Sequence, residues 1–438
     1  MKRSLKTPLL VLAAFLGGAA AAHVADANTP AGNPYAAFDQ MSRVLVLVEN
    51  NYVDPTQRAK IVDGSIKGMV AELDPHSAYM PAAEYALFRG DTQGKFGGVG
   101  VEVDFRGEYV TVIAPFDGSP AARAGIKSGD QIVAIDGKGV RGERVDRLVS
   151  MMRGPAGTKV KISIRRKDAA DLLQFELVRE VIHVDSVTGK RLEGEVVYIR
   201  IKQFQEGTRD ELLSVAGKLR SEKNAKIKGV LVDLRNNPGG LVDEAEGVAD
   251  EFLPGGTIYT TRHRGRVIDE SRATPGGSFS DVPIVVIVNA YSASSAELLA
   301  GCLQDNKRAK VVGAQTFGKG SVQTIFDLPG GAGLRLTTMR YYTPSGRSIQ
   351  AEGIHPDIEV QSPQIDDKGA VRERDLDGHL PAEGPIANGP EKVVTDASKG
   401  EAERDAPRAE VPDNPRVGTD FVLATGYEEL LKLVAEKK

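Results

Sequence analysis

Hydrophobic residues recur at helical spacing in the first part of the chain and at strand spacing further along it. Residues 35–51 and 57–73 each place apolar side chains three and four positions apart, which predicts two helices. From Gly94 onwards, apolar residues alternate with polar or small ones, as in a half-buried strand. We therefore expect an N-terminal helical region over residues 33–92, followed by a β-rich domain over residues 93–180.

After Val181 the chain alternates short apolar runs with amphipathic segments. The apolar runs predict buried strands and the amphipathic segments predict helices. This alternation is typical of an α/β core, which we expect over residues 181–362. The predicted strands are residues 196–201, 229–234, 282–288 and 309–313, and the predicted helices include residues 208–221 and 295–303.

The segment from 361 to 418 departs from this pattern. It contains no aromatic residue, seven prolines, and 13 acidic against 8 basic residues. Because this composition supplies little apolar surface for a packed core, we expect a disordered acidic linker over residues 363–418. Helical spacing returns over residues 419–438, which predict a C-terminal helix. A helix at the end of a long linker favours a docking or oligomerisation element over a core helix.

The N-terminus has the three parts of a secretory signal peptide. Basic residues come first, an apolar run follows at residues 8–18, and small residues suited to cleavage occupy positions 19–22. The apolar run is shorter than the about 20 residues that a transmembrane helix needs. We expect a signal peptide over residues 1–27 and an exported, periplasmic protein. An uncleaved N-terminal anchor, which would associate the protein with the inner membrane, is the alternative.

The composition excludes several classes of protein. Hydrophobic residues make up 41% and charged residues 26% of the 438 residues, which excludes a polytopic membrane protein and a chain disordered throughout. The net charge of −4 gives no basic field for binding nucleic acid. With Cys302 as the single cysteine and six scattered histidines, the sequence predicts no disulfide and no metal site. We also expect no cofactor, because an exported protein meets little ATP or other cytosolic cofactor.

The β-rich region contains glycine turns in a fixed order. They are the loop Gly97-Gly98-Val99-Gly100, the run SPAARAGIKSGDQIVAIDG that starts at Ser119, and RGPAGT, which starts at Arg153. With these landmarks, the region resembles a PDZ domain of the circularly permuted bacterial kind. A glycine loop exposes N–H groups that can bind a terminal carboxylate, and the neighbouring strand edge can pair with an extended peptide. The resemblance implies Gly97, Gly98, Val99 and Gly100 as peptide-binding residues; a small β-domain without a ligand is the alternative.

Three segments of the α/β core follow buried strands, where catalytic residues usually lie. They are NNPGG at residues 236–240, YSASSAE at residues 291–297 and GAQTFGKGSVQ at residues 313–323. The third is close to a phosphate-binding P-loop, but Gly320 occupies the position where that motif requires serine or threonine. The residues after it also predict a strand and not a helix. An NTPase is therefore disfavoured.

Ser294 has two interpretations when its segment is taken alone. With Glu297 it fits the S-x-x-E capping box, in which the serine only caps a helix, and this interpretation is favoured. Alternatively, a serine at a helix N-terminus lies beside N–H groups that can stabilise an oxyanion. Because no histidine is near, a lysine whose pKa is lowered by burial could serve as the base.

Together the three segments resemble the C-terminal processing peptidases, also called tail-specific proteases. The similarity covers residues 35–360 and rests on SAS-x-AE and TFGKGSVQ, whose serine and lysine are 25 positions apart. The family's serine motif usually reads SASAS, whereas this chain reads SASSA, with two small residues exchanged. The resemblance implies an α/β fold: a crotonase-like protease core with an inserted PDZ domain and N- and C-terminal helices.

The resemblance also implies the roles of individual residues. Ser294 would be the nucleophile, Lys319 the general base and Gln323 the residue that orients the lysine. The oxyanion hole would consist of backbone N–H groups. Its implied members are Gly239, Gly240 and Ser295. Arg153 matches an arginine that in some relatives couples peptide binding to the active site, which implies a gating role.

Asp233 and Arg235, at the end of a predicted strand, are instead expected to form a structural pair, and Cys302 is expected to pack in a helix. The sequence thus predicts an exported serine endopeptidase that binds unfolded, apolar protein C-termini and cleaves near them. We expect a homo-oligomer, and the need for an adaptor protein stays open. The alternative is a catalytically idle PDZ scaffold, which would have no need of a lysine beside a serine.

Overall fold

The computed structural model describes residues 36–106, 109–116, 118–143, 145–169, 171–222, 226–361, 370–383, 390–395 and 411–437. The predicted signal peptide, residues 1–27, lies outside these described residues. The chain divides into two compact units, residues 1–69 and residues 70–438. Helix α1 (Ala36–Asn51) lies in the first unit, where helix α2 (Arg58–Ala71) also begins, as the helical spacing predicts. Within the described residues, no helix combines the length and apolar character that crossing a membrane requires.

A short connecting region opens the second unit. It contains strand β1 (Ala78–Met80), helix α3 (Ala82–Thr92) and strand β2 (Lys95–Gly98). Strand β2 pairs with the later strand β9 (Glu180–His183) in a two-stranded antiparallel sheet. These two strands carry the chain into the β-rich domain and out of it again.

The described residues of the β-rich domain form one sheet and two short helices. Its core follows from alternation, because Val160, Ile162 and Ile164 of one strand are fully buried while Lys159 and Lys161 on the other face are exposed. In spatial order the strands are β3 (Val101–Arg106), β4 (Tyr109–Pro115), β5 (Gln131–Ile135), β7 (Lys159–Arg165) and β8 (Leu173–Val178), with β6 (Lys138–Gly139) paired to β5. The helices are α4 (Pro120–Arg123) and α5 (Val145–Met152).

A seven-stranded sheet forms the centre of the α/β core. Its order is β10 (Val187–Arg191), β11 (Val196–Ile201), β12 (Gly229–Asp233), β15 (Ile284–Val288), β16 (Ala309–Gly313), β19 (Ile358–Gln361) and β20 (Lys392–Thr395). All neighbours are parallel except β10 and β11. Strands β12 and β15 are buried at every position, because helices cover both faces of the sheet. Helices α6 (Thr208–Ser221), α7 (Val242–Phe252) and α8 (Ser295–Asp305) share one face, and α9 (Phe421–Glu436) packs on the other.

A second sheet carries the end of the TFGKGSVQ segment. It contains β1, β18 (Gly333–Tyr342), β13 (Gly256–His263) and β14 (Arg266–Ala273) in that order, and β17 (Ser321–Asp327) also pairs with β18. Strand β17 begins two residues after Lys319. The loop from β16 to β17 therefore joins the two sheets of the core.

The C-terminal region differs from the sequence-based expectation. Part of the segment expected to be a disordered linker contacts the core, since β20 extends the main sheet and the Arg372 guanidinium donates to the carbonyl groups of Gln315 and Thr316. Backbone pairing and ion contacts need few apolar side chains, so a composition argument does not detect them. Helix α9 is likewise a core helix, because Leu423, Tyr427 and Leu430 are buried against the sheet.

Candidate active site

Ser294 lies at a strained turn that begins helix α8. Its backbone has φ 55° and ψ −119°, a left-handed conformation that few residues other than glycine adopt. The preceding turn is fixed by two hydrogen bonds: Ser292 Oγ donates to the carbonyl of Leu234 (2.9 Å), and the Ala293 N–H donates to the carbonyl of Asn237 (2.9 Å). Strain of this kind is concentrated at functional sites, where the surrounding structure maintains it.

Lys319 lies in the loop before β17 with its ammonium group held by one partner. Its Nζ donates to Gln323 Oε1 at 2.7 Å. Burial lowers the pKa of Lys319 to about 8, and the nearby Arg335 cation adds to this, while Glu373, Glu297 and Asp74 oppose it. At pH 7 the neutral fraction then rises from about 0.03% for an ordinary lysine to about 9%. The group can therefore act as a base near neutral pH.

A buried carboxylate joins the two segments that carry Ser294 and Lys319. Glu297 Oε2 accepts hydrogen bonds from the N–H groups of Ser294 (2.7 Å) and Lys319 (2.9 Å). Its Oε1 accepts from Thr316 Oγ1 (2.5 Å) and from the Gly318 N–H (2.7 Å). Burial raises the pKa of Glu297 to about 7, whereas these four hydrogen bonds lower it. The hydrogen bond from the Ser294 N–H is the capping-box contact that the sequence predicts. The hydrogen bonds from Gly318 and Lys319 are additional and were not predicted.

Tyr341 adds a contact that the sequence does not predict. Its hydroxyl donates to the carbonyl of Lys319 at 2.5 Å, and burial raises the pKa of this phenol well above its usual value, with an opposing contribution from a hydrogen bond with the Ser294 side chain. Among the residues that the structure describes, no hydrogen bond joins Lys319 Nζ directly to Ser294 Oγ.

The NNPGG turn lies against the N-terminus of α8. A Cβ atom on Gly239 (φ +99°) would lie 2.7 Å from Ser294 Cβ and 3.0 Å from the Ser295 nitrogen, so only glycine fits there. Ser295 Oγ donates to the Gly240 carbonyl at 2.9 Å. The Gly239 N–H already donates to Asn237 Oδ1 (2.8 Å), whereas no described hydrogen bond uses the N–H of Gly240 or Ser295. Those two groups are therefore the ones open to an oxyanion in this arrangement.

The glycine loop before β3 is tightly packed through its carbonyl groups. Those of Gly97, Val99 and Gly100 accept hydrogen bonds from the N–H groups of Gly154, Ala121 and Phe116. A Cβ on Gly97 would lie 2.0 Å from the Gly154 oxygen, which explains the glycine. Gly97 and Gly98 belong to β2, paired with β9. In the described part of the domain, β3 has β4 as its one strand partner, so its other edge is open.

Arg153, which directly follows α5, contacts two residues of the connecting region. Its Nη1 donates to Asp91 Oδ1 at 2.6 Å, and its guanidinium lies 4.4 Å from the centroid of the Phe96 ring. Both partners belong to α3 and β2, and neither belongs to the lysine segment. Arg153 thus links the β-rich domain to the connecting region.

Asp233 and Arg235 form the expected structural pair. Arg235 Nη2 lies 2.8 Å from the buried Asp233 carboxylate and Nη1 lies 2.8 Å from Asp420, which caps α9. Cys302 is buried in α8, as expected. Within the described residues, His183, Asp185 and Glu211 bring potential metal-ligand atoms within 4.8 Å of one another, but Glu211 already accepts hydrogen bonds from nearby backbone N–H groups.

Comparisons with known proteins agree with this domain arrangement. The family model for peptidase family S41 matches residues 195–360, the model for a PDZ domain matches residues 111–166, and the model for the N-terminal domain of the activating protease CtpB matches residues 17–84.

Two curated proteins and one solved structure illustrate what the chain is similar to. A carboxy-terminal-processing protease of Bartonella bacilliformis is 42% identical over 355 residues, which are 80% of this chain and 81% of that protein. A probable CtpA-like serine protease of Staphylococcus haemolyticus is 36% identical over 72% of this chain and 63% of that protein. The solved photosystem II D1 C-terminal processing protease is 28% identical, with 77% of this chain and 96% of that chain covered and a TM-score of 0.45.

The matches and the domain arrangement define a peptidase that carries a PDZ domain. With 42% identity over 80% of its length, the chain belongs to the carboxy-terminal-processing protease family within peptidase family S41.

Proposed function

We propose that this protein is an exported serine endopeptidase that cleaves substrates near their C-termini with a Ser294–Lys319 dyad. The observation that carries the proposal is the state of Lys319: its pKa lies near 8 through burial, and its Nζ is fixed by Gln323 at 2.7 Å. A lysine in an ordinary solvated position would stay protonated and could not act as a base. The shared contacts with Glu297 keep the serine and lysine segments side by side.

In the proposed reaction, neutral Lys319 accepts the proton of Ser294 Oγ as this oxygen attacks the carbonyl carbon of the scissile peptide bond. The oxyanion that forms receives hydrogen bonds from the N–H groups of Ser295 and Gly240, at the N-terminus of α8. Protonated Lys319 gives its proton to the leaving amine. The lysine, neutral again, then activates the water that hydrolyses the acyl-enzyme. The Gly239 N–H would join the oxyanion hole only after leaving Asn237.

Substrate recognition is proposed to use the open edge of β3. An extended C-terminal tail would pair with this edge, and its carboxylate would reach the N–H groups of Val99 and Gly100, which no described hydrogen bond uses. Unfolded, apolar tails suit this mode, because a folded terminus cannot lie along a strand.

Helix α1 exposes apolar side chains, among them Met41 (42%), Val44 (53%) and Leu47 (61%), which supports the proposal of a homo-oligomer. Export rests on the signal-peptide pattern.

Digestion of an unfolded protein such as casein tests the dyad. We expect wild-type protein to cleave it, and Ser294→Ala, Lys319→Ala and Lys319→Arg not to, because a guanidinium does not lose its proton. The exposed Lys218 gives a matched control, since Lys218→Ala should cleave like wild type. The double variant Ser294→Ala/Lys319→Ala should be no worse than either single one. Cleavage by Lys319→Ala at the wild-type rate would contradict the proposal, and tail binding without any wild-type cleavage would favour the scaffold alternative.

A further inference from the structure

The orientation of the Gln323 amide decides what Lys319 Nζ meets. Gln323 Nε2 donates to Ser321 Oγ (2.9 Å) and to Thr337 Oγ1 (3.2 Å), so that Oε1 faces Lys319 Nζ. The two ends of an amide differ, because the oxygen only accepts hydrogen bonds and the NH2 only donates them. A half-turn of this amide would place a donor against the lysine. The residues that hold Nε2 therefore control the surroundings of the base.

Thr337 is held in turn by a carboxylate from a distant part of the chain. Thr337 Oγ1 donates to Asp74 Oδ1 at 3.2 Å, across 263 positions of sequence. Burial raises the pKa of Asp74, but hydrogen bonds from Ser77, His76 and Thr337 outweigh it and hold the pKa below its usual value. An ionised carboxylate can only accept, so the Thr337 proton points to Asp74. The lone pairs of the Thr337 oxygen are then left for Gln323 Nε2.

The turn that contains Asp74 is rigidly attached to strand β18. Asp74 Oδ1 accepts from the N–H groups of His76 (2.8 Å) and Ser77 (2.9 Å), and Asp74 Oδ2 accepts from Ser77 Oγ (2.7 Å). The Thr337 N–H donates to Ser77 Oγ at 3.0 Å, and the next residues pair with β18 as strand β1. This attachment fixes the carboxylate opposite the hydroxyl that it orients.

We infer that Asp74 and Thr337 are positioning residues for the catalytic lysine: the Asp74 carboxylate orients the Thr337 hydroxyl, which holds the Gln323 amide with its oxygen toward Lys319. The inference rests on the proposed Ser–Lys mechanism and extends it to the segment that precedes the PDZ domain. Neither residue touches substrate or reacting atoms. They act on Lys319 through Gln323. The Asp74 carboxylate can only accept, so it fixes which group donates and which accepts at each step of this hydrogen-bond chain.

The inference predicts a specific change in pH dependence. The charged groups that face Lys319 are Arg335, Glu373, Glu297 and Asp74. Loss of the Thr337 hydroxyl leaves all of them in place but removes one of the two acceptors that hold Gln323 Nε2, with Ser321 Oγ as the other, so the amide turns its NH2 toward Nζ more often. The ammonium form then loses an acceptor, so the lysine pKa should fall below about 8. Turnover should also fall, because the lone pair of the amine is drawn away from Ser294.

The experiment compares Thr337→Val, Thr337→Ser and Thr338→Val in the full chain, with turnover of a peptide substrate measured across pH. Thr338 is a matched control on the same strand, because its hydroxyl bonds to Thr324 (2.6 Å) and not to Gln323. We expect Thr337→Val to lose roughly three- to tenfold in kcat, the worth of one hydrogen bond, and to shift its rising limb to lower pH. Thr337→Ser should restore both, and Thr338→Val should match wild type. Asp74→Asn should shift the rising limb of the pH profile in the same direction and further than Thr337→Val, because it also removes a negative charge that raises the pKa of Lys319.

Two results would overturn the inference. One is a pH profile of turnover for Thr337→Val that matches the profile of Thr338→Val. The other is a lower kcat of Thr337→Val whose rising limb stays at the wild-type pH, which a purely structural role would produce. Both are distinguishable from failure of the dyad itself. If Ser294→Ala or Lys319→Ala kept turnover, the proposed function would fail whatever Thr337 did.

Discussion

Replacing Glu297 by glutamine tests the contact that joins the segments carrying Ser294 and Lys319. Above its pKa of about 7, Glu297 is an ionised carboxylate that accepts four hydrogen bonds and donates none. Its Oε1 accepts from Thr316 Oγ1 and the Gly318 N–H, and its Oε2 accepts from the N–H groups of Ser294 and Lys319. A glutamine side chain has the same shape, but its NH2 must face one of these two pairs of donors.

The loss in the free energy of unfolding depends on which pair of donors the glutamine NH2 faces. An NH2 group that faces Ser294 and Lys319 leaves two N–H groups unpaired. An NH2 group that faces Thr316 and Gly318 leaves the Gly318 N–H unpaired, and the Thr316 hydroxyl then accepts from the NH2 and loses the acceptor for its own proton. One unpaired buried N–H costs about 1–3 kcal/mol, so Glu297→Gln should lower the free energy of unfolding by about that amount. Glu297→Ala leaves every donor unpaired and opens a cavity, so it should cost at least about twice as much, out of a typical total of about 5–15 kcal/mol.

Urea unfolding and turnover together measure the effect. The chain has no tryptophan, so unfolding is followed by far-ultraviolet circular dichroism. Glu436→Gln, at an exposed position in α9, is the control and should match wild type. Turnover should fall further in Glu297→Ala than in Glu297→Gln, because the serine and lysine segments lose their common acceptor. Wild-type stability and turnover in both variants would refute the assignment of this carboxylate as the joint between the segments.

Three further predictions concern the base and the peptide-binding domain. Turnover should rise about tenfold per pH unit below pH 7 and level off above about pH 9, because only neutral Lys319 accepts a proton and its pKa is about 8; a decline above about pH 6 would indicate a carboxylate or imidazole base. Amidating the C-terminus of a peptide should weaken its binding to the Ser294→Ala protein by roughly tenfold or more, as measured by calorimetry, and equal affinities would exclude carboxylate recognition. Arg153→Ala, which removes the contact with Asp91, should lower turnover while tail binding persists, and unchanged turnover at saturating substrate would exclude gating.

Local sequence was sufficient where structure depends on neighbours in the chain. The predicted helix at residues 208–221 and the predicted strands at residues 196–201 and 309–313 match α6, β11 and β16 to the residue. Their apolar spacing is set by which face meets the core, and spacing is legible without a structure. The family was recognisable for a related reason, because a serine and a lysine in fixed motifs are read directly from the chain.

Composition was a weaker guide to the C-terminal region. A stretch with many prolines and acidic residues predicted a linker. In the structure, however, residues 392–395 pair with the main sheet as β20, and Arg372 donates to the Gln315 carbonyl in the loop that precedes Lys319. Such attachment uses main-chain groups and charges, which average composition does not weigh. The packing of α9 against β12 and β15 was also not predictable, because an apolar helix face in the sequence does not show whether it packs on the same chain or on another.

The sequence by itself determined the domain order, the family and the residues expected to react, because these depend on residue types at short, fixed spacings. Only the tertiary structure decided the environment that lowers the pKa of Lys319. Its pKa depends on burial and on charges from Arg335 and Glu373, and its partner Gln323 donates to Thr337, which donates in turn to Asp74, 263 positions away in sequence. Electrostatic effects act through space and through desolvation, so groups distant in sequence set the chemistry of a motif that is local in it.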